Sequence, residues 1–293
     1  MGHSCSAAEV RIHAACFVVL LDQNSRMALP CDYHMHTPLC HHAEGEPWEL
    51  AAHAVKLGIP EIGFSEHNPM MRNDWDEWHM EIENLELYLD KVRKAQADFP
   101  QLTIKYGLEV DFIPGHEEWI KDLASRYPWD YFIGSVHYIS DSFDIDNPEK
   151  IDQWKERDAY EVWSAYLERL TQAADSGLFQ IIGHADLCKK FCFYPERDVM
   201  PLFQKFLETA RDREVAIEIN TAGLRKDCKE MYPSPAILKM ASELGVLLTF
   251  GSDAHAPNEV GADFPAAVEF AKSVGYTSSC RFTKRNREMV PLD

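Results

Sequence analysis

Residues 32–43 read Asp-Tyr-His-Met-His-Thr-Pro-Leu-Cys-His-His-Ala, and this stretch places two histidines two positions apart. On an extended strand, His34 and His36 point to the same face because side chains alternate with a period of two. Neutral imidazole is the commonest protein ligand for zinc, manganese and iron. The stretch therefore predicts a strand that presents metal ligands at its end, although a His-x-His pair alone is a weak signal.

The same kind of apolar run recurs along the chain, and helical patterns separate the runs. Seven β-rich runs lie at 29–36, 59–66, 102–110, 130–137, 179–184, 215–220 and 246–251. The helical patterns lie at 47–57, 77–97, 115–126, 152–176, 198–212, 234–244 and 263–274. Alternation of strands and helices predicts an α/β fold with a parallel sheet and right-handed crossovers. Seven units favour a closed or nearly closed barrel, and an open doubly wound sheet is the alternative.

Each apolar run ends in residue types that bind metal ions. These residues are His34 and His36, Glu66 and His67, Glu109 and Asp111, His137, His184 and Asp186, Glu218 and Asn220, and Asp253 and His255. In a βα barrel the active site forms where the C-terminal ends of the strands converge. The set exceeds what one ion can use, so it predicts at least two ions with Glu109 as a possible bridge, and it accommodates a third.

The composition of the chain and the absence of several known sequence motifs limit the range of functions. The formal net charge of −19 argues against binding to nucleic acid or to an anionic membrane through the overall field. The eight cysteines form no Cys-x-x-Cys pair, which is typical of reduced thiols, and we expect a cytoplasmic protein. No dinucleotide, P-loop or Gly-x-Ser-x-Gly motif is present, which favours metal-dependent hydrolysis. Residues 1–26 are expected to be an extension of doubtful role, and residues 27–293 a single domain.

Taken jointly, the motifs resemble those of the PHP (polymerase and histidinol phosphatase) family, and in particular its histidinol-phosphatase branch. The matching stretches are Asp32–Cys40, His42–Gly45, Phe64–His67, Gly107–Asp111, Gly134–His137, Ile182–Asp186, Glu218–Arg225 and Gly251–His255. The resemblance covers roughly residues 31–292, in order. It implies a distorted (β/α)7 TIM-like barrel, the PHP fold, with the active site at the C-terminal ends of the strands.

The resemblance also implies a site for three divalent ions, which the sequence does not identify as zinc, manganese or iron. The implied ligands are His34, His36 and Asp253 for the first ion, Glu109 as the bridge to the second, His137 and His184 for the second, and His42, His67 and His255 for the third. The choice of His42 over His41 also comes from the resemblance, because family members usually carry a small residue where His41 stands.

The activity implied by the resemblance is hydrolysis of L-histidinol phosphate to L-histidinol and phosphate, a step of histidine biosynthesis. A hydroxide that bridges two ions would attack phosphorus, and Asp253 or His255 would protonate the leaving group. Arg225 is predicted to clamp the phosphate, because a planar guanidinium matches phosphate oxygens. Arg197, Lys189 and Lys190 are weaker candidates for substrate binding, and the acidic groups Asp111, Asp144 and Asp146 are unassigned candidates for the substrate amine.

Two alternative functions remain open from the sequence. The first is a PHP phosphoesterase that acts on another small phosphate ester or on a nucleic-acid phosphodiester. The second is a non-catalytic, metal-binding PHP module, which the complete set of ligand residues disfavours. The predicted partner is a small phosphate ester, with neither nucleic acid nor membrane expected, and the oligomeric state is open.

Overall fold

A computed structural model of the chain describes residues 28–140 and 142–292. The predicted extension, residues 1–26, lies outside the described residues, and so the proposed domain boundary stays a prediction. Within the two described ranges, no helix is both long enough and apolar enough to cross a membrane.

Helices and strands alternate along the chain as the sequence predicts. The helices are α1 Pro47–Leu57, α2 Leu85–Asp98, α3 Glu117–Arg126, α4 Ile151–Lys155, α5 Ala159–Asp175, α6 Met200–Asp212, α7 Pro235–Leu244 and α8 Phe264–Ser273. The strands are β1 Glu61–His67, β2 Thr103–Asp111, β3 Tyr131–Ser135, β4 Tyr138–Ser140, β5 Phe143–Asp144, β6 Ile181–Ile182, β7 Ala216–Asn220, β8 Leu247–Gly251, β9 Ser278–Thr283 and β10 Asn286–Pro291.

Helix α1 shows how local chemistry fixes the ends of an element. Pro47 occupies the first turn, where its missing N–H costs nothing, and Glu46 and Glu49 form a reciprocal capping box. Gly58 ends the helix with φ of 79°, a left-handed conformation that glycine adopts without strain. Leu50 and its neighbours on one face are buried against the sheet. The predicted span 47–57 is confirmed.

Six strands form one parallel sheet in the order β1-β2-β3-β6-β7-β8. The predicted first strand at 29–36 is wrong as a regular strand, because it forms only isolated bridges. It nevertheless lies between the two edge strands of the sheet. The Gly63 N–H donates to the Asp32 carbonyl at 2.8 Å, and the Tyr33 N–H donates to the Phe250 carbonyl at 3.1 Å. The curled sheet is therefore completed by an irregular closing segment, residues 29–36, which excludes an open doubly wound sheet.

A buried tyrosine layer fills the barrel interior below the site. A Cβ added at Gly107 would lie 2.5 Å from the Tyr131 ring, so this position accommodates only glycine. The Tyr131 hydroxyl donates to the Tyr33 carbonyl at 2.7 Å, and the two rings lie 4.7 Å apart. These contacts anchor the closing segment against β2 and β3, directly before the first two predicted ligands.

Three features differ from the sequence-based prediction. The span 152–176 is two helices, because Asp158 caps a new start by accepting the Tyr160 N–H at 2.8 Å. Strands β4 and β5 form a short antiparallel pair after β3. Strands β9 and β10 form a second antiparallel hairpin, which contacts the barrel through the Tyr33 hydroxyl and the Phe282 N–H, 3.0 Å apart.

Candidate metal centre

All nine predicted metal ligands gather around one cavity at the C-terminal ends of the strands. His67 ends β1 and Glu109 lies near the end of β2, whereas the others follow strands or lie on the closing segment and the loop after it. The cavity has a volume of about 870 Å³. Acidic side chains outnumber lysines among its lining residues by nine to three, so it would repel an anionic ester without bound cations.

Glu109 lies at the centre of the cluster and is 2% exposed. Five imidazole nitrogens approach its carboxylate: those of His67 at 3.0 Å, His34 at 3.3 Å, His36 at 3.6 Å, His184 at 2.9 Å and His137 at 3.6 Å. The first three approach Oε2 and the last two approach Oε1. One carboxylate with separate imidazole groups on its two oxygens has the arrangement of a bridging ligand.

The innermost group of donors consists of His34, His36 and Asp253. His36 Nε2 lies 3.4 Å from Asp253 Oδ1, and His34 Nε2 lies 3.8 Å from the same oxygen. The Nε2 atoms of both histidines are buried and have no hydrogen-bond partner. Because a buried polar atom without a partner is costly, these two nitrogens fit a bound cation better than a packed core.

A second group of imidazoles extends towards the solvent-exposed side of the cavity. His255 Nε2 lies 3.0 Å from His42 Nε2, and nitrogens of His255, His36 and His67 lie within 4.8 Å of one another. His41 instead is exposed and faces Glu81 Oε1 at 3.2 Å. The structure therefore brings His42, and not His41, to the cluster.

Two of the candidate ligands have unusual backbone conformations. His184 and Asp253 have φ of 21° and 52°, in the left-handed region that non-glycine residues rarely adopt. Such residues persist where surrounding contacts fix them, and they concentrate at functional sites. The His184 N–H donates to Glu218 Oε1 at 2.9 Å, and its Nε2 faces Glu109, so contacts on both sides hold the residue.

A carboxylate lies behind three of the histidines and orients each ring. Nδ1 of His34 lies 3.0 Å from Glu218, and Nδ1 of His137 lies 3.1 Å from Asp111. Nδ1 of His36 faces Glu66 at 3.4 Å. A hydrogen bond of this kind fixes the tautomer, so that the other ring nitrogen keeps its lone pair for a metal. The sequence places all three carboxylates at strand ends but does not reveal this orienting role.

The inner group carries strong opposing charges. Burial alone would lower the pKa of His34, but the carboxylates of Glu218 and Glu109 raise it well above the ordinary value. Burial also opposes protonation of His36, yet the nearby carboxylates of Asp253 and Glu66 raise its pKa to about 9. Burial would raise the pKa of Glu109, but neighbouring imidazoles hold it well below the usual range. The carboxylates are therefore ionised at neutral pH and attract positive charge.

The outer imidazoles behave differently. Burial lowers the pKa of His67 to about 4, and the nearby charge of His36 adds to this effect. The same two causes hold the pKa of His255 well below its ordinary value. Burial also lowers the pKa of His42. Neutral imidazole is the form that binds metals, so this group is ready to coordinate at neutral pH.

We expect Glu218→Gln to weaken metal binding by about 10- to 100-fold, because the orienting carboxylate behind His34 is lost. Titration of the metal-free protein with zinc, followed by isothermal calorimetry, measures this change. Glu243→Gln, an exposed position on α7, is the matched control and should bind as the wild type does. Equal affinities for the two variants would show that Glu218 has no orienting role.

The predicted substrate-binding cations occupy different places. Lys190 lines the cavity, and its ammonium lies 3.0 Å from Asp146 Oδ2. Lys189 is buried outside the cavity lining, where it contacts Glu230 at 2.8 Å and a backbone carbonyl at 2.7 Å. Its donors thus already have protein partners, and its assignment to substrate binding stays a prediction.

The two arginines also lie outside the set of residues that line the cavity. Arg197 is exposed and pairs with Glu161 at 2.8 Å, and its predicted substrate contact stays a prediction. Arg225 lies behind the site, where it pairs with Glu259 at 3.1 Å and donates to the Asp253 carbonyl at 3.2 Å. Contact between Arg225 and a phosphate stays a prediction.

Comparisons with known proteins agree with this geometry. A model of the PHP domain matches residues 32–222. A relative from Deinococcus radiodurans, named "Probable histidinol-phosphatase", is 40% identical over 262 residues, covering 89% of this chain and 98% of the relative. The histidinol-phosphatase of Bacillus subtilis is 30% identical over 264 residues, covering 81% and 98%.

A solved structure shows the same fold. Histidinol phosphate phosphatase from Lactococcus lactis, complexed with zinc, L-histidinol and phosphate, superposes with a TM-score of 0.76 at 22% identity, covering 88% of this chain and 98% of that one. Its fold agrees with the curled parallel sheet of this chain. With the family model matching well over half of its length, the chain belongs to the PHP family.

Proposed function

We propose that this protein is a metal-dependent histidinol-phosphatase, which hydrolyses L-histidinol phosphate to L-histidinol and phosphate in histidine biosynthesis. The observation that carries the proposal is the convergence of five imidazoles on the buried Glu109 carboxylate, with unpartnered nitrogens on His34 and His36. Relatives named histidinol-phosphatases that match over nearly their whole lengths support the choice of substrate.

The donor set fits three divalent ions, which we propose to be zinc, manganese or iron. His34, His36 and Asp253 would hold the first ion, with Glu109 shared between the first and the second. His137 and His184 would complete the second site, and His42, His67 and His255 would form the third. When bound, such ions supply a nucleophile at neutral pH and neutralise the charge that develops on the phosphoryl oxygens.

The chain's own residues provide orientation, shielding and proton transfer. Glu218 and Asp111 hold the imidazoles of His34 and His137 in fixed orientations, which prepares the site before substrate binds. Asp253 and His255 both line the cavity, with Asp253 Oδ1 3.5 Å from His255 Nδ1. We propose that one of these two residues protonates the leaving alkoxide.

Phosphate release from L-histidinol phosphate, an aryl phosphate and a bis-aryl phosphodiester tests the proposed function. We expect a strong preference for L-histidinol phosphate. Chelation should lower the rate by about 100-fold or more, and added manganese or zinc should restore it, because the cations supply several kcal/mol of charge stabilisation. His137→Ala should lower the rate as chelation does.

The other outcomes decide between the remaining functions. Cleavage of the diester alone would replace the histidine pathway with a nuclease-like activity, although the acidic lining of the cavity disfavours a polyanion. Preference for the aryl phosphate would point to another small ester. No turnover on any of the three, in protein that binds metal, would identify a non-catalytic module.

A further inference from the structure

The lining of the cavity contains one carboxylate with an unusual lack of partners. Asp146 is 9% exposed, and its Oδ1 atom is buried without a hydrogen-bond partner. Its Oδ2 atom lies 3.0 Å from Lys190 Nζ, which also donates to the Asp146 carbonyl at 2.7 Å. A buried carboxylate oxygen without a donor is costly, so this atom has capacity for one more donor.

The other carboxylates around the cavity are already engaged. Asp111 accepts hydrogen bonds from His79 and His137, and Asp144 pairs with Lys150 and Asn147. Asp76 contacts His79 and Tyr138, and Glu259 contacts Arg225 and the His255 N–H. Glu77 and Glu149 are exposed. Asp144 Oδ1 likewise has no hydrogen-bond partner, but it forms an ion pair with the Lys150 ammonium, whereas Asp146 Oδ1 is buried and has neither kind of partner.

Position and charge suit Asp146 to a cation bound next to the metals. Asp146 follows the pair β4 and β5, and the Ile145 N–H before it donates to the His137 carbonyl at 2.8 Å. Burial would raise the pKa of Asp146, but Lys190 and His137 lower it, so the carboxylate is charged at neutral pH. In L-histidinol phosphate the ammonium group is two carbon atoms from the ester oxygen, and Asp146 lines the same cavity as the candidate ligands His137 and His184.

On the basis of the proposed function, we infer that Asp146 binds the ammonium group of the substrate and so selects phosphate esters of amino alcohols over simple phosphate esters. The Oδ1 atom accepts a hydrogen bond from the ammonium, while Lys190 stays on Oδ2. Asp146 is then a specificity residue, and the phosphate itself is bound elsewhere in the site. This assignment gives a function to one of the three acidic residues that the sequence leaves unassigned.

The test compares L-histidinol phosphate with 3-(imidazol-4-yl)propyl phosphate, which lacks only the amino group. The wild type should have a kcat/KM about 30- to 100-fold lower on the deamino ester, because a charge-assisted hydrogen bond is lost. The kcat/KM of Asp146→Asn should be lower than that of the wild type by a similar factor on L-histidinol phosphate, and it should differ by less than about threefold on the deamino ester. Asp146→Glu, which keeps the charge, should recover part of the discrimination.

Two controls separate this role from a structural one. Asp152→Asn, an exposed position on α4, should leave both substrates unaffected. Lys190→Met should not reproduce the substrate-selective loss, whereas it would if Asp146 served only to hold Lys190. Zinc content and melting temperature of Asp146→Asn show whether the variant is folded and loaded.

Several results would overturn the inference. An equal loss on both esters in Asp146→Asn, or no loss on either, would assign Asp146 to structure. Equal kcat/KM values of the wild type on the two esters would also overturn the inference, because they would show that the enzyme does not recognise the amino group. A failure of the proposed function would give a different result. The wild type would then cleave neither imidazole ester, while it still cleaved the aryl phosphate or the diester. That result would also overturn the inference about Asp146.

Discussion

Glu109→Gln should lower kcat/KM on L-histidinol phosphate by at least about 1,000-fold, because the proposed sharing of Glu109 between two ions would contribute several kcal/mol. The amide has nearly the same shape but no charge, and its nitrogen cannot accept a metal or an imidazole N–H. His67 and His184, which approach opposite oxygens of Glu109, would lose their shared anchor. Steady-state kinetics combined with metal analysis of the purified variant measures both effects.

Glu118→Gln, on the exposed side of α3, is the matched control for this prediction. Its side chain is 87% exposed and pairs with Lys121, so kinetics and metal content should equal those of the wild type. A Glu109→Gln enzyme that retained wild-type metal content and more than a tenth of the activity would contradict the bridging role.

Asp32→Ala should lower the free energy of unfolding by about 3–5 kcal/mol, since each buried donor left unpaired costs about 1–3 kcal/mol. The Asp32 carboxylate is fully buried and accepts hydrogen bonds from the Ser252 N–H at 2.8 Å, the Ser252 hydroxyl at 2.6 Å and the Gly261 N–H at 2.9 Å. These bonds join the closing segment to the chain after β8. Urea unfolding, monitored by tryptophan fluorescence, measures the loss.

The control for Asp32→Ala is Asp74→Ala, whose side chain is 81% exposed. Removal of this surface carboxylate should change the free energy of unfolding by less than about 0.5 kcal/mol. Similar midpoints for the two variants would show that the barrel closes without the Asp32 contacts.

The regular elements of the barrel could be predicted because their signals are local. Pro47 and Gly58 mark the ends of α1 within the sequence itself, and α7 likewise begins at Pro235 and is followed by Gly245 with φ of 76°. The strands are apolar because helices cover the sheet, and so they stand out against the amphipathic helices. The predicted spans 47–57 and 234–244 are confirmed to within one residue.

The missed elements lack such signals. The turn between β9 and β10 uses Lys284 and Arg285 with φ of 50° and 64°, where a hairpin usually has asparagine or glycine. Nothing in this dipeptide indicates a turn. The closing segment has strand composition, but its irregular bridges depend on the spacing between β1 and β8, which only the assembled barrel determines.

The candidate site, like the fold, could be predicted from the sequence only in part. The ligand types at strand ends could be predicted, because the C-terminal ends of parallel strands meet at one face. The pairing of Lys189 with Glu230, and of Arg197 with Glu161, depends on how loops fold back and cannot be inferred from spacing. The orienting roles of Glu218 and Glu66 were missed for the same reason, since each depends on the neighbour across the sheet.

The closing segment has a consequence for the order in which the protein matures on the ribosome. His34 and His36 emerge early, whereas the segment that begins at Ser252 emerges much later, since 220 positions separate Asp32 from Ser252. At about 5–20 residues per second, this interval lasts about 10–40 s. During that time the first histidine pair has neither Asp253 nor its barrel neighbours. Full assembly of the candidate metal centre therefore follows synthesis of nearly the whole barrel.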